Sequence, residues 1–484
     1  MMLAAILIFI PLIFAIITFF SGKKIAPYIA LLSSIISLFY FLVLMSAYDI
    51  VGKQLSFNSY IEWIIPLRAY LHFGLDAAAV LPLFLTQLII CLSVLATLVK
   101  GNDRDASYYG LIGLAHAGFN GFFSAQNPIS FYIFFEAALI PIYFIVLRYG
   151  GIDRKKAVFK FFLYTVFGGL LMLAAILFIQ FHMKSYLSLI SWQDFYKNKM
   201  AIEYQYWLFA AFFIAFAIKS PIFPFHTWQA DLYSQSDRPS LMIIAAVMSK
   251  MGIFGLIRFD FFFVEAIYKW QYFLIALCLV GVVYGALIAW RQKDMIRLLA
   301  YSSLSHMGLI AAGVLTMANL GVQGGLFAIL SHGLAAAGLF FAADVIIRKT
   351  NDNSVDAVSG IAKVNPRFAT YFFIILLSSI GLPLTCGFIG EFYLLWAITE
   401  FKPYYGAFGA LTLIFGAVYM LRLYQKSMFG KVSSTASGFG KLSLSEDYVF
   451  IVIGILIIVI GFFPVNWIGI GQYAFRIMNF TPTN

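Results

Sequence analysis

Long apolar stretches recur along this chain from end to end, and they constrain its fold more than any other feature. Runs of 18 or more mostly apolar residues, such as residues 2–20 (MLAAILIFIPLIFAIITFF), are separated by short polar gaps. No water in a hydrocarbon core can satisfy backbone N–H and C=O groups, so a run of that length reads as a helix crossing a bilayer. With 62% hydrophobic and 11% charged residues and a mean hydropathy of +0.92, a chain of 484 residues lies far from the soluble class. The opening stretch has no basic leader and no small-residue cleavage site, so it is expected to be the first span rather than a secretory signal.

Fourteen spans are expected, at about 2–20, 25–46, 76–99, 107–126, 129–148, 157–182, 205–225, 239–259, 271–290, 295–316, 321–347, 367–395, 404–425 and 447–469. The longest connection, about 47–75, contains NSYIEWIIPLRAY and is expected to be an interfacial aromatic segment. Twenty of the 32 Lys and Arg residues fall on one set of alternating loops and nine on the other, Arg258 among the nine. The richer side is expected to be cytoplasmic, with both termini on the opposite side. That bias accounts for the net charge of +11 without nucleic acid. Cys91, Cys278 and Cys386 are isolated in apolar surroundings, a pattern of buried thiols rather than metal ligands.

Six ionisable groups lie deep inside spans: Glu136, Lys219, Lys250, His306, His332 and Glu391. Each costs at least about 2.5–3.5 kcal/mol at the bilayer centre, which marks it for function. Lys160 and Asp344 lie near span ends, where snorkelling is cheaper. One histidine can simply bond a neighbouring helix, and one Glu and one Lys can form a static pair. Six groups on spans five, seven, eight, ten, eleven and twelve exceed what a scaffold needs and suit a proton relay. Two spans are also broken beside such groups. In FAIKSPIFPFHTW, Pro221 and Pro224 free the carbonyls of Ala217 and Ser220 next to Lys219; in GLPLTCGFIGEF, Pro383 frees that of Ser379 ahead of Glu391. Breaks in spans seven and twelve are an odd number of spans apart, so the units around them run in opposite directions. The expected fold is therefore an all-α polytopic membrane protein with two inverted five-helix repeats and broken helices 7 and 12. It divides into helices 1–3 over residues 1–106, repeats over 107–260 and 271–427, and a last helix and tail over 445–484.

AFAIKSPIFPFHTW, SSLSHMGLI, LSHGL and IGLPLTCGFIGEF resemble the antiporter-like subunits of bacterial respiratory complex I and their relatives in Mrp-type cation/proton antiporters and membrane-bound hydrogenases. The resemblance runs in order from about residue 70 to 430. Within the family the chain is similar to the M-type subunits, because Glu391 stands where L- and N-types have lysine and because no long lateral helix follows the fourteenth span. The resemblance implies that Glu136 and Lys219 are the Glu–Lys pair of a first half-channel. It also implies that Lys250, His306 and His332 form the central relay and that Glu391 is the terminal acid. Two stretches depart from the family pattern: QADLYSQSDRPSL replaces the loop that carries a His and a Glu, and LPLTCGF replaces LPGTSGF.

The implied activity is proton translocation in the bacterial cytoplasmic membrane, driven by NADH:quinone oxidoreduction. Other membrane-arm subunits of L and N type are the implied partners, with quinone in the complex and with flavin and iron–sulfur clusters in partner subunits and none here. The alternative is a subunit of an Mrp-type Na+/H+ antiporter or of a membrane-bound hydrogenase. Burial penalises a lysine's charged form and a neighbouring carboxylate favours it. A carboxylate at 4 Å contributes about 4 kcal/mol at an effective dielectric of 20, but about 1.7 kcal/mol at 10 Å. Movement or neutralisation of Glu136 is thus expected to release a proton from Lys219 toward Lys250. His226, beyond the first break, fits packing, helix-end hydrogen bonding or proton entry equally.

Overall fold

All fourteen apolar segments coincide with helix in the computed structural model, which describes residues 3–48, 55–64, 69–99, 104–182, 191–197 and 200–479. Lys53, Arg68, Lys100, Lys184 and Lys199, part of the loop charge count, lie outside the described residues. The first helices are α1 (Leu3–Phe19), α2 (Ala26–Ser46), α3 (Ala77–Ala96), α4 (Ala106–Ser124), α5 (Pro128–Ala137), α6 (Leu139–Tyr149) and α7 (Arg154–His182). The middle of the chain forms α8 (Trp192–Lys197), α9 (Ile202–Lys219), α10 (Gln229–Gln235), α11 (Arg238–Ile243), α12 (Lys250–Asp260), α13 (Val264–Arg291), α14 (Met295–Leu315) and α15 (Asn319–Thr350). The last third forms α16 (Ile361–Val364), α17 (Pro366–Ser379), α18 (Cys386–Phe401), α19 (Pro403–Met428), α20 (Leu444–Phe462) and α21 (Val465–Asn479). Among the described residues ten stretches are long and apolar enough to cross a membrane, with α5–α6 and α11–α12 each taken as one. α1 and α17 are apolar but shorter.

Burial separates a core from a rim. Within the most apolar 18-residue stretch of each, Arg238–Asp260 is 100% buried and α14 and α15 are 94% buried, whereas α2, α7 and α19 are 33–39% buried and turn apolar side chains outward. Lipid is as apolar as those side chains, so rim helices need no polar outer face. The helix ends are capped by short polar side chains. Asp76, Asp105, Asn127, Asp237, Asp294 and Asn365 each accept a backbone N–H from the first turn of the helix that follows. Ser443 and Glu446 complete a reciprocal capping box on α20.

Several local expectations need correction. Within the segment expected at the interface, β1 (Ser56–Ile64) and β2 (Ala69–Leu75) pair antiparallel, with Tyr60 opposite His72 and stacked on Tyr70 at 4.9 Å. The fold is therefore helical with one small sheet. Span 129–148 is not continuous, because the helix breaks at Ala138 between α5 and α6. Pro141 cannot donate to the carbonyl of Ala137, which explains the break. Span 239–259 contains a π-helical turn, Ile244–Met248. Arg258, counted as a loop charge, is 2% exposed and grips Asp76 through two contacts of 2.6 and 2.7 Å. Removing one partner of such a buried pair costs about 3–5 kcal/mol. The C-terminal tail is helical: α21 folds back after Pro464 onto α3 and α15, with Trp467 against Phe84 at 5.3 Å.

Both expected breaks are present and share one backbone pattern 160 residues apart. In the first, Ser220 N–H donates to Phe216 O (2.8 Å), Ile222 N–H to Ala217 O (2.8 Å) and Phe225 N–H to Ile222 O (2.7 Å). In the second, Ile380 N–H donates to Leu376 O (3.1 Å), Leu382 N–H to Leu377 O (3.0 Å) and Thr385 N–H to Leu382 O (3.2 Å). The Ala217 carbonyl, expected to be open to water, is thus taken within the break. Ile218 O accepts the indole N–H of Trp228 at 2.9 Å.

Candidate functional site

Glu136 is the penultimate residue of α5, at the break that Pro141 creates. Gly169 on α7 leaves room for its carboxylate, since a Cβ there would run into Glu136 Oε1. That oxygen is buried and has no hydrogen-bond partner. Lys219 ends α9, is 1% exposed, and donates from Nζ to Phe135 O at 3.2 Å. Its ammonium also sits 4.5 Å from the centre of the Phe135 ring. A desolvated cation over a ring contributes about 2 kcal/mol, which offsets part of the burial cost. The expected Glu136–Lys219 pair is therefore not a direct ion pair: among the described residues no contact within 4.0 Å joins them, and the lysine rests on Phe135.

Ser220 and Ser249, the chain neighbours of Lys219 and Lys250, meet. Ser220 Oγ donates to Ser249 O at 2.7 Å, and α12 comes close because a Cβ at Gly252 would meet Phe216 O and Ser220 Oγ. In the π-helical turn, Ser249 N–H reaches back to Ile244 O at 3.2 Å. The Ala245 carbonyl then accepts Lys250 Nζ and Ser249 Oγ, each at 2.7 Å, and Ser249 Oγ lies 3.2 Å from Lys250 Nζ. Lys250 is fully buried and its polar contacts come from its own turn.

The second half gathers its groups more tightly. His306 on α14 places Nδ1 3.0 Å from Glu391 Oε1 on α18, and the His332 ring on α15 lies 5.4 Å from that of His306. These three residues, with Ser331, Ser378 and Ser379, line a cavity of about 20 Å³, room for one water molecule. His306 Nε2, His332 Nδ1 and Glu391 Oε2 are buried without a protein partner. Gly381 (φ +69°) adopts a left-handed conformation suited to glycine, and a Cβ there would strike Glu391 Oε2.

The structure thus brings together His306, His332 and Glu391, holds Lys250 by its own turn, and rests Lys219 on Phe135, the chain neighbour of Glu136. Lys160 bonds Thr227 O (2.7 Å) and Asp231 (3.0 Å) near the surface, and Asp344 faces Arg348 at 3.5 Å. His226 is 6% exposed and stacks on Phe223 at 5.6 Å. Sequence reasoning overlooked His116, whose Nε2 lies 2.8 Å from Gln87 Oε1 in a buried polar thread that continues to Asn120. Hydropathy hid it, since the surrounding GLIGLAHAGF averages out one imidazole; a residue-by-residue scan for histidines within spans finds it. It also overlooked Asp260, whose buried carboxylate has no partner. Among the described residues no group of three or more His, Cys, Asp or Glu side chains could hold a metal.

Residues 125–408 match the family model described as NADH:quinone oxidoreductase/Mrp antiporter, transmembrane. Over 443 residues the chain is 33% identical to NADH-quinone oxidoreductase subunit M of Rickettsia prowazekii, covering 89% of each. A chain of respiratory complex I from Thermus thermophilus superposes with a TM-score of 0.89 at 28% identity, over 98% of this chain and 99% of that one. A chain of the Mrp complex from Dietzia superposes with a TM-score of 0.87 at 18% identity, over 99% and 98%, a likeness of fold alone. With its matched core, its broken helices and its buried Lys, His and Glu groups in hand, the chain belongs to the NADH:quinone oxidoreductase/Mrp antiporter transmembrane family.

Proposed function

We propose that this chain translocates protons in the membrane arm of an NADH:quinone oxidoreductase, using Glu136, Lys219, Lys250, His306, His332 and Glu391. The observation that carries the reading is Lys250, a fully buried amine with only a carbonyl and a hydroxyl as partners. A permanently charged group in that setting costs several kcal/mol unless paired. A group that gains and loses a proton carries that cost only part of the time. Phe135 lets Lys219 hold a proton without a carboxylate contact, so that movement of Glu136 modulates it through space. The step at Lys250 goes through Ser249, and His332 and His306 continue it around their cavity to Glu391.

The same reading takes the chain across the membrane fourteen times, with residues 107–260 and 271–427 as inverted units and both ends on the non-cytoplasmic side of a bacterial cytoplasmic membrane. The matching break patterns 160 residues apart support it. Electron transfer through flavin and iron–sulfur centres to quinone belongs to partner subunits, with L- and N-type subunits as neighbours. A chain of an Mrp complex has the same fold, and the composition of the complex that purifies with this chain decides among an NADH:quinone oxidoreductase, an Mrp-type antiporter and a membrane-bound hydrogenase. Lys219→Ala in the assembled complex is expected to lose most proton pumping, measured against quinone reduction in sealed vesicles. Parent-like pumping in that variant overturns the relay.

A further inference from the structure

The relay needs an inlet to Lys250, and the divergent QADLYSQ segment supplies residues that the function above does not use. These residues form α10, which packs against α14 and α7. Its two faces differ sharply. Asp231 faces outward, 37% exposed, with Lys160 Nζ and Arg297 Nη2 each at 3.0 Å. Gln229 and Tyr233, one turn apart, face inward and are 2% and 0% exposed. The Tyr233 hydroxyl is within electrostatic reach of Gln229 and Ser249 yet makes no hydrogen bond of ordinary geometry, and Gln229 Nε2 likewise has no partner. A buried hydroxyl or amide left without a partner loses its hydration with nothing in return. Two of them on one face, next to the serine that contacts Lys250, make a site rather than packing.

We propose that Tyr233, positioned by Gln229, is the inlet through which protons from the basic-rich surface reach Ser249 and then Lys250. Ser249 O–H donates to Ala245 O while Lys250 is protonated. Once Lys250 has passed its proton on, Ser249 O–H turns to the neutral amine. The serine gives up its proton there and takes one from Tyr233, and Tyr233 takes one from water admitted beside Gln229. Each hydroxyl loses and gains one proton, so neither ends ionised. Gln229 is a positioning residue in this scheme. The Tyr233 ring is fixed edge-on to Phe340 at 5.5 Å, which holds the hydroxyl at its post.

This inference rests on Lys250 carrying protons, and the experiment separates the two. In the assembled complex in sealed vesicles, Tyr233→Phe keeps the ring and deletes only the hydroxyl. It is expected to cut pumping at least fivefold relative to quinone reduction and to raise the solvent deuterium isotope effect. Tyr233→His, which restores a group able to pass a proton, is expected to recover at least half the rate. Parent-like pumping and isotope effect in Tyr233→Phe overturn the inlet, provided Lys250→Ala has lost pumping. Parent-like pumping in Lys250→Ala overturns the relay itself. Should Tyr233→Phe fail to assemble, Gln229→Met decides instead, and parent-like pumping there overturns the inlet.

Discussion

The two helix breaks share a backbone and differ in what they carry. Position for position, 160 residues apart, Phe216, Ala217 and Ile222 accept the same bonds as Leu376, Leu377 and Leu382. Lys219 then corresponds to Ser379, and Pro221 to Gly381. Past the break the halves diverge. The second resumes helix at Cys386 and carries Glu391 into the core against His306. The first turns through residues 223–228 before α10, so the residue in the place of Glu391 is Asp231, exposed and ion-paired at the surface. The same device thus presents a lysine before the break in one half and an acid after it in the other. The break is a backbone element, and the route of the chain after it decides where charge lies.

The largest effect expected from breaking this comparison is at Gly381. Its φ of +69° and its N–H, which donates to Ser378 O at 3.3 Å, are both incompatible with proline. Gly381→Pro places in the second break the residue that the first uses at Pro221. A loss of at least about 3 kcal/mol is expected, read as failed assembly or a collapsed thermal transition of the complex. Parent-like melting sinks the claim that the two halves reach one pattern by different residues.

A middle-sized effect is expected at Gly169. A Cβ there meets the far end of a flexible Glu136 side chain rather than backbone, so the fold can yield while the carboxylate moves. Gly169→Ala is expected to assemble, melt within about 1 kcal/mol of the parent, and pump several-fold more slowly. A variant with unchanged pumping detaches the position of Glu136 from the relay.

How much of this was readable in advance depends on where each signal resides. The apolar segments come from hydropathy, which is local, and each of them contains helix. The breaks at Lys219 and before Glu391 come from Pro and Gly. The break after Glu136 had the same kind of signal in Pro141, four residues past Ala137, and was passed over because the run stays apolar. The π-helical turn before Lys250 leaves no such mark: AAVMSK has neither Pro nor Gly. It is held by Ser249 and Lys250 bonding Ala245 O, a tertiary outcome. The strand pair was hidden in a chain whose hydropathy pointed to helices throughout. The six groups of the proposed relay were visible as ionisable residues in apolar runs. Their grouping was not, because His306, His332 and Glu391 come from three helices, and because Phe135, on which Lys219 rests, looks like any other core phenylalanine.

The smallest effect, and the finest test of the comparison, is expected at Pro221. The carbonyls of Ile218 and Ser378 occupy matching places, and each is satisfied differently. Gly381 supplies its own N–H to Ser378 O, whereas Pro221 has none and the Trp228 indole serves Ile218 O instead at 2.9 Å. Pro221→Gly therefore makes the first break resemble the second and adds an N–H that competes with Trp228 for one oxygen. The glycine also frees the unfolded chain, which costs about 0.4–1 kcal/mol. The bond pattern of the break does not depend on the proline, so a total loss of about 1 kcal/mol in thermal unfolding and pumping within twofold of the parent are expected. Adding Trp228→Phe tests the competition. If the glycine N–H takes over Ile218 O, loss of the indole donor costs less in Pro221→Gly than in the parent, by up to the roughly 1 kcal/mol of one hydrogen bond. Equal costs in the two backgrounds mean that the first break cannot adopt the second's bonding, and that Pro221 and Trp228 together, rather than the backbone alone, hold Lys219 in place.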